Sequence, residues 1–141
     1  MQKEQTGQPW DEWIPGVLSK NQIIQLQEKG LITGLGPRNS IDYSSFDVSV
    51  SREAYRMRKG SVKPSGDSPY SWFIEQAGLA EKQLPDSDGT FTLNRKQTYV
   101  FKLRQKLERG LCALGINGQA TAKSSVGRMD VLARQIGRAH V

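Results

Sequence analysis

The sequence predicts a mainly β domain, barrel- or jelly-roll-like, with one short helix near the N-terminus. Three observations carry this. Apolar and polar residues alternate in several short stretches between Phe46 and Leu103, the two-residue period of half-buried strands. Fourteen glycines and six prolines punctuate those stretches, which suits a fold with many turns. Helical spacing with complete end signals occurs once, so the strands do not alternate with helices as in a βαβ sheet.

Taken in order, residues 1–13 form an irregular lead-in, although Trp10 and Trp13 suggest that part of it packs on the body. The helix follows in "LSKNQIIQLQEKG". Ser19 is its N-cap, with Gln22 three residues on as capping-box partner and Leu18 and Ile23 placed as a hydrophobic staple. Ile23 and Leu26 share one face, and Gly30 can end the helix in the left-handed region.

In "FDVSVSREAYRMR", Phe46, Val48 and Val50 alternate with Asp47 and Ser49, and Tyr55 and Met57 repeat the pattern. A strand pair or one long bulged strand results. "KGSVKPSGDSPYS" is a loop by composition, and a second helix can start at Pro69 after Ser68, carrying Trp72, Phe73 and Ile74. Phe91 and Leu93 read as a strand that turns around Asn94 and Arg95. Tyr99, Phe101 and Leu103 then point one way, with Val100, Lys102 and Arg104 opposite. Leu111 to Ile116 reads as another short strand interrupted by Gly115. The closing "RQIGRAHV" supplies neither a helix nor a closing strand, so the pattern predicts an edge covered by a partner chain, or a fragment.

Composition narrows the chemistry. The single cysteine, Cys112, excludes an internal disulfide and a thiolate-rich zinc site, and the single histidine is His140, one residue from the end. Zinc-type base deaminases and Ser-His-Asp triads need histidine or cysteine in a cluster. Any base must therefore be a carboxylate or a serine–lysine arrangement. No apolar run is long enough to cross a membrane and "MQKEQTGQPWDEW" lacks the apolar region of a secretory leader, so the expected location is cytoplasmic.

Net charge is +6 but uneven. Residues 1–91 hold ten Lys/Arg and twelve Asp/Glu, a net of −2, whereas residues 92–141 hold ten Lys/Arg and only Glu108 and Asp130, a net of +8. Such a segment attracts phosphates, or is simply a solvated basic surface. Within it, "TAKSSVGRMDV" concentrates the parts of an anion pocket. Ser124 or Ser125 can open a short helix, Lys123 stands before it as a point charge, and Arg128 offers a planar fork one turn on. Gly127 allows close approach. The spacing is not that of a Walker A loop, and a merely polar turn stays open as the other reading. Asp47 inside its strand calls for a partner or a site, since an unpaired charge is costly there. Asp130 can pair with Arg128 or Arg134, or cap a turn.

Three stretches then carry a resemblance, in the right order: "GVLSKNQIIQLQEKGLI", "YSSFDVSVSREAYRMR" and "AKSSVGRMDVLARQI". They are similar to the dCTP deaminase branch of the trimeric deoxyuridine triphosphatase superfamily, in its longer bacterial form. "TFTLNRKQTYVFKLRQKL" fits that family's central strand pair, and the likeness covers about residues 14–136. Tyr43 stands where the family usually has proline or a similar residue. The resemblance implies a distorted β-barrel or jelly roll of the dUTPase-like type over 14–141, assembled as a trimer, or a pseudo-trimer in the complete protein. It implies zinc-free deamination of dCTP to dUTP and ammonia, with Ser124 and Arg128 catalytic. Ser125, Lys123 and Gly127 would bind substrate and phosphate, and Asp47 would be a supporting acid, structural or magnesium-linked. Mg2+ would arrive with the triphosphate, with no tightly bound cofactor.

Two other functions compete: pyrophosphohydrolysis of dUTP, which "AYR" and "GRMDV" disfavour, and a non-catalytic basic β domain binding nucleic acid. The latter needs exposed aromatics among Lys/Arg, whereas Tyr99 and Phe101 read as core-facing. The resemblance also places a general-base glutamate about twenty residues beyond Arg128, a group worth ~10² to 10⁴ in rate. The sequence continues 13 residues past Arg128, so a domain incomplete at its C-terminal end is expected. This polypeptide assayed alone should form ammonia and dUTP from dCTP poorly or not at all; turnover at the rate of a complete enzyme would refute that.

Overall fold

The computed structural model describes residues 16–37, 39–60, 62, 68–129, 131 and 133. The expectations for Trp10, Trp13, Asp130, His140 and the closing residues 134–141 lie outside the described residues.

Helix α1 (Lys20–Glu28) forms as its end signals require. The Ser19 hydroxyl accepts from the Gln22 amide and the Gln22 side chain accepts from the Ser19 amide, a complete capping box. Gly30 follows with φ +71°, and its amide donates to the Gln27 carbonyl. The buried face is Ile23 and Leu26. These meet Ile32 of β1 (Ile32–Thr33) and Leu111, with Leu18, Leu31, Ile41, Phe46, Leu107 and Ile116 around them.

The hairpin β2 (Ile41–Asp42) and β3 (Ser45–Phe46) turns over Tyr43 and Ser44. The chain then enters its longest strand, β4 (Val50–Met57), the centre of a three-stranded antiparallel sheet. One neighbour is β5 (Ala80–Gln83), the other β6 (Tyr99–Leu103). Opposite β6 the register slips. Val50 faces Leu103, yet Ala54 faces Phe101, so β4 spends four residues where β6 spends two. Helix α2 (Tyr70–Gln76) lies over this sheet. Its fully buried Ile74 packs with Tyr55, Met57 and Ala80 in a second core. The Tyr55 ring is buried and its hydroxyl donates to Glu53 Oε1 at 3.0 Å. Burial and the neighbouring Glu53 carboxylate push the Tyr55 hydroxyl up to about 12. Arg56 and Glu81, opposite each other across β4 and β5, form an ion pair joined by Arg58.

After β6 the chain crosses back to the first core. Strand β7 (Lys106–Leu107) pairs antiparallel with β1, and α3 (Arg109–Ala113) inserts Leu111. The last described helix is α4 (Ser124–Gly127). Antiparallel sheets joined by short helices give the expected β-rich architecture, and among the described residues the sheets do not close into a barrel. No described helix is long and apolar enough to cross a membrane.

Four local expectations are corrected. Leu111–Ile116 is a helical turn: Leu114 donates to Gly110 and Ile116 reaches back to Leu111, and the Leu111–Leu114 spacing is the helical one. Phe91 and Leu93 are in no strand. The Asp86–Thr90 turn and a bond from the Asn94 amide to the Tyr99 hydroxyl hold that stretch, and Phe91 stands edge-on to Phe101 at 5.3 Å. Val100 packs on the second core instead of opposing it, while Leu103 is largely exposed. The Phe46–Val50 alternation is also broken, because residues 47–49 bond to loops and not to a ladder.

Leu26 and Ile74 are each fully buried, one per core. Leu26→Ala and Ile74→Ala should each cost about 2–5 kcal/mol in denaturant unfolding, whereas exposed Val17→Ala should stay within about 0.5 kcal/mol.

Candidate functional site

The chain passes from one core to the other where β6 hands over to β7, and the Gln105 side chain bonds across that junction. Gln105 Nε2 donates to the Gly34 carbonyl at 3.0 Å and to Ser49 Oγ at 3.1 Å, while Gln105 Oε1 accepts from the Ser49 amide at 2.7 Å. The Arg104 amide adds a bond to the Ser49 carbonyl at 2.9 Å. Gly34 is required here: its φ is +79°, and a Cβ would lie 2.6 Å from the Arg104 carbonyl oxygen.

A cleft of about 730 Å³ opens along this junction. Its walls come from the 34–39 loop, residues 47–50, Arg104 and Gln105, and Lys123. Asp47 is fixed on one wall at four points. Its amide donates to the Ser40 carbonyl at 3.0 Å, and its carbonyl accepts from Asn39 Nδ2 at 2.9 Å. Its Oδ2 accepts from the Ser40 hydroxyl at 3.0 Å and from Lys123 Nζ at 2.6 Å. Asn39 is itself tied down, accepting the Gly36 amide on Oδ1 at 3.1 Å. The Lys123 ammonium beside Asp47, helped by Ser40, holds the Asp47 carboxyl below the usual aspartate range.

Lys123 also begins α4. As its N-cap residue, with extended backbone (φ −59°, ψ 149°), it offers its carbonyl to the Val126 and Gly127 amides. The Arg128 amide closes the turn on the Ser124 carbonyl at 3.0 Å. The sequence placed a helix start at Ser124 or Ser125, and the helix indeed begins at Ser124. Ser124, Ser125, Gly127 and Arg128 are exposed, and an added Cβ at Gly127 would meet nothing within 4 Å.

Of the residues singled out by sequence, the structure therefore brings Asp47 and Lys123 together across 76 positions. Both line the cleft, while the remaining four follow along α4 without lining it. Sequence reasoning missed Asn39, Ser40, Arg104 and Gln105. Only polar character marked them, and nothing in "LRQKL" distinguishes a glutamine that joins three segments from one in solvent. Among the described residues, no three His, Cys, Asp or Glu gather as a metal-holding group.

A family model for the 2'-deoxycytidine 5'-triphosphate deaminase (DCD) N-terminal domain matches residues 14–140. The chain belongs to this family. Among curated proteins and solved structures nothing matches it. Within the DCD N-terminal domain the Asp47–Lys123 contact joins the opening half, with its hairpin, to the α4 segment.

Since its pKa is depressed, Asp47 contributes through this contact at pH values above the ordinary aspartate range. That contribution is lost as pH falls through its lowered value. A carboxyl ¹³C titration should give Asp47 a midpoint below 3.8, and Lys123→Ala should move the midpoint back up toward it. Gln105→Leu strands the Ser49 amide and Gly34 carbonyl and should cost about 1–3 kcal/mol in unfolding.

Proposed function

We propose that the chain serves the hydrolytic deamination of dCTP, in which water adds at cytosine C4 and ammonia leaves to give dUTP. The observation that carries this reading is the family match over 14–140, which includes the whole "AKSSVGRMDV" segment, with Ser124–Gly127 of it forming α4. Exposed hydroxyl and guanidinium groups one helical turn apart suit the work assigned to them. Ser124 orients the attacking water and the base edge. Arg128 positions that water and stabilises the charge that develops at the tetrahedral centre, where a fixed donor acts most strongly. Ser125 and Lys123 meet the phosphates, and Gly127, with open space around it, leaves room for the nucleotide to approach.

Asp47 is the supporting acid. Its Oδ2 is already shared between Ser40 and Lys123, which favours a role in placing Lys123 over direct chemistry. The chemistry proposed is zinc-independent, and Mg2+ enters with the triphosphate as part of the substrate. The working assembly is a homo-oligomer, a trimer or pseudo-trimer, acting in the cytoplasm.

Turnover tested on dCTP and dUTP in parallel decides the reaction class. Whatever slow turnover this polypeptide supports should give ammonia and dUTP from dCTP, with no pyrophosphate from either nucleotide; pyrophosphate release from dUTP would overturn the proposal. Arg128→Ala should lower that ammonia release by about 10²-fold or more, with thermal unfolding unchanged because the side chain is exposed.

A further inference from the structure

The cleft at the β6–β7 junction holds one charge that no described residue balances. Lys123 is paired with Asp47, and no described carboxylate pairs with Arg104. The other polar side chains of the cleft are spent. Asn39 uses both ends of its amide, Ser49 Oγ is bonded to Gln105, and Gln105 serves Ser49 and Gly34. Arg104 spends only Nε–H, on the Val50 carbonyl at 3.1 Å. That bond orients the guanidinium plane and leaves both terminal nitrogens without a partner among the described residues. A planar fork, held by its inner N–H and facing no described carboxylate, is matched to an oxyanion with two oxygens to offer.

We propose that Arg104 is a polyphosphate-binding residue of this cleft. As applied to dCTP this rests on the nucleotide reading above, and it places the triphosphate against Arg104 as well as Lys123. The pairing of Lys123 with Asp47 explains why a second cation is needed. A phosphate approaching Lys123 also approaches the Asp47 carboxylate, whereas at Arg104 the attraction is uncompensated. The 104 position is supplied by the same turn that Gln105 clamps, so the fork stands on backbone fixed at both Ser49 and Gly34. A fixed support lowers the ordering cost of binding.

The test is calorimetric titration of the whole chain with inorganic tripolyphosphate and with dCTP, at low salt. Arg104→Gln should weaken both by about tenfold or more, the scale of a charge-assisted bond, and Arg104→Lys should fall between it and the unaltered chain. Thermal unfolding checks that each variant is folded. If Arg104→Gln unfolds, Arg104→Lys carries the test, with a loss of about threefold or more expected. No binding of tripolyphosphate by the unaltered chain, or variant affinities within about twofold of it, would overturn the proposal. The nucleotide reading fails separately. Arg104-dependent tripolyphosphate binding with dCTP no tighter than tripolyphosphate keeps Arg104 and removes the nucleotide. Tighter dCTP binding that ignores the Arg104 substitution keeps the nucleotide and removes Arg104.

Discussion

Two small apolar cores must be held in register for anything in this domain to have a fixed place, and the hydrogen-bonded seam at Gln105 does this. One core gathers around Leu26, the other around Ile74. Residues 104 and 105 lie between the strand that belongs to one and the strand that belongs to the other. A single amide there reaches partners 56 and 71 positions away in sequence. Because its groups are directional, the seam sets angle as well as distance, which apolar packing alone does poorly. The tight approach of Gly34 to the Arg104 carbonyl is the steric counterpart of the same constraint.

The cleft follows from the seam. Where the chain passes between two cores through polar turns, the apolar surface does not close over, and side chains that bond to the turns line the gap. Placing charge in such a gap is inexpensive only if each group is either paired or open to water. Asp47 and Lys123 take the first course, Arg104 the second. The strongly basic second half of the sequence is therefore a poor guide to local potential. Lys102 is matched by Glu53 and Lys123 by Asp47, both from the first half, and Lys106 by Glu108 within the second, so part of the positive charge counted along the chain is balanced in space.

What sequence could show was local. The capping box at Ser19, the buried pair Ile23 and Leu26, the helix after Pro69 and the strand at Tyr99 each rest on residues a few positions apart. The start of α4 at Ser124 was legible for the same reason. Failures came where a distant partner overrode the local pattern. Phe91 joins Phe101 through ring contact and not a ladder, and Val48 and Val50 alternate correctly yet stay exposed because Asp47 and Ser49 bond to loops. Leu111–Ile116 misled differently, since a run of six apolar-rich residues does not by itself separate a strand from a helical turn. The Asp47–Lys123 pair shows the limit most clearly. Each residue was singled out alone, for a separate task, and only the fold shows that they touch.

The register slip between β4 and β6 has a consequence for how this domain tolerates changes in length. Between Val50 and Ala54 the long strand carries two more residues than its neighbour uses, so this part of the ladder is already out of step. An inserted or deleted residue elsewhere in β4 would turn every later side chain to the opposite face and expose the second core. Within residues 51–53 the same change alters only the size of an existing bulge, and the pairing of Ala54 to Met57 with β5 is kept. The strand thus contains its own expansion joint, placed between the half that builds the core and the half that reaches the cleft.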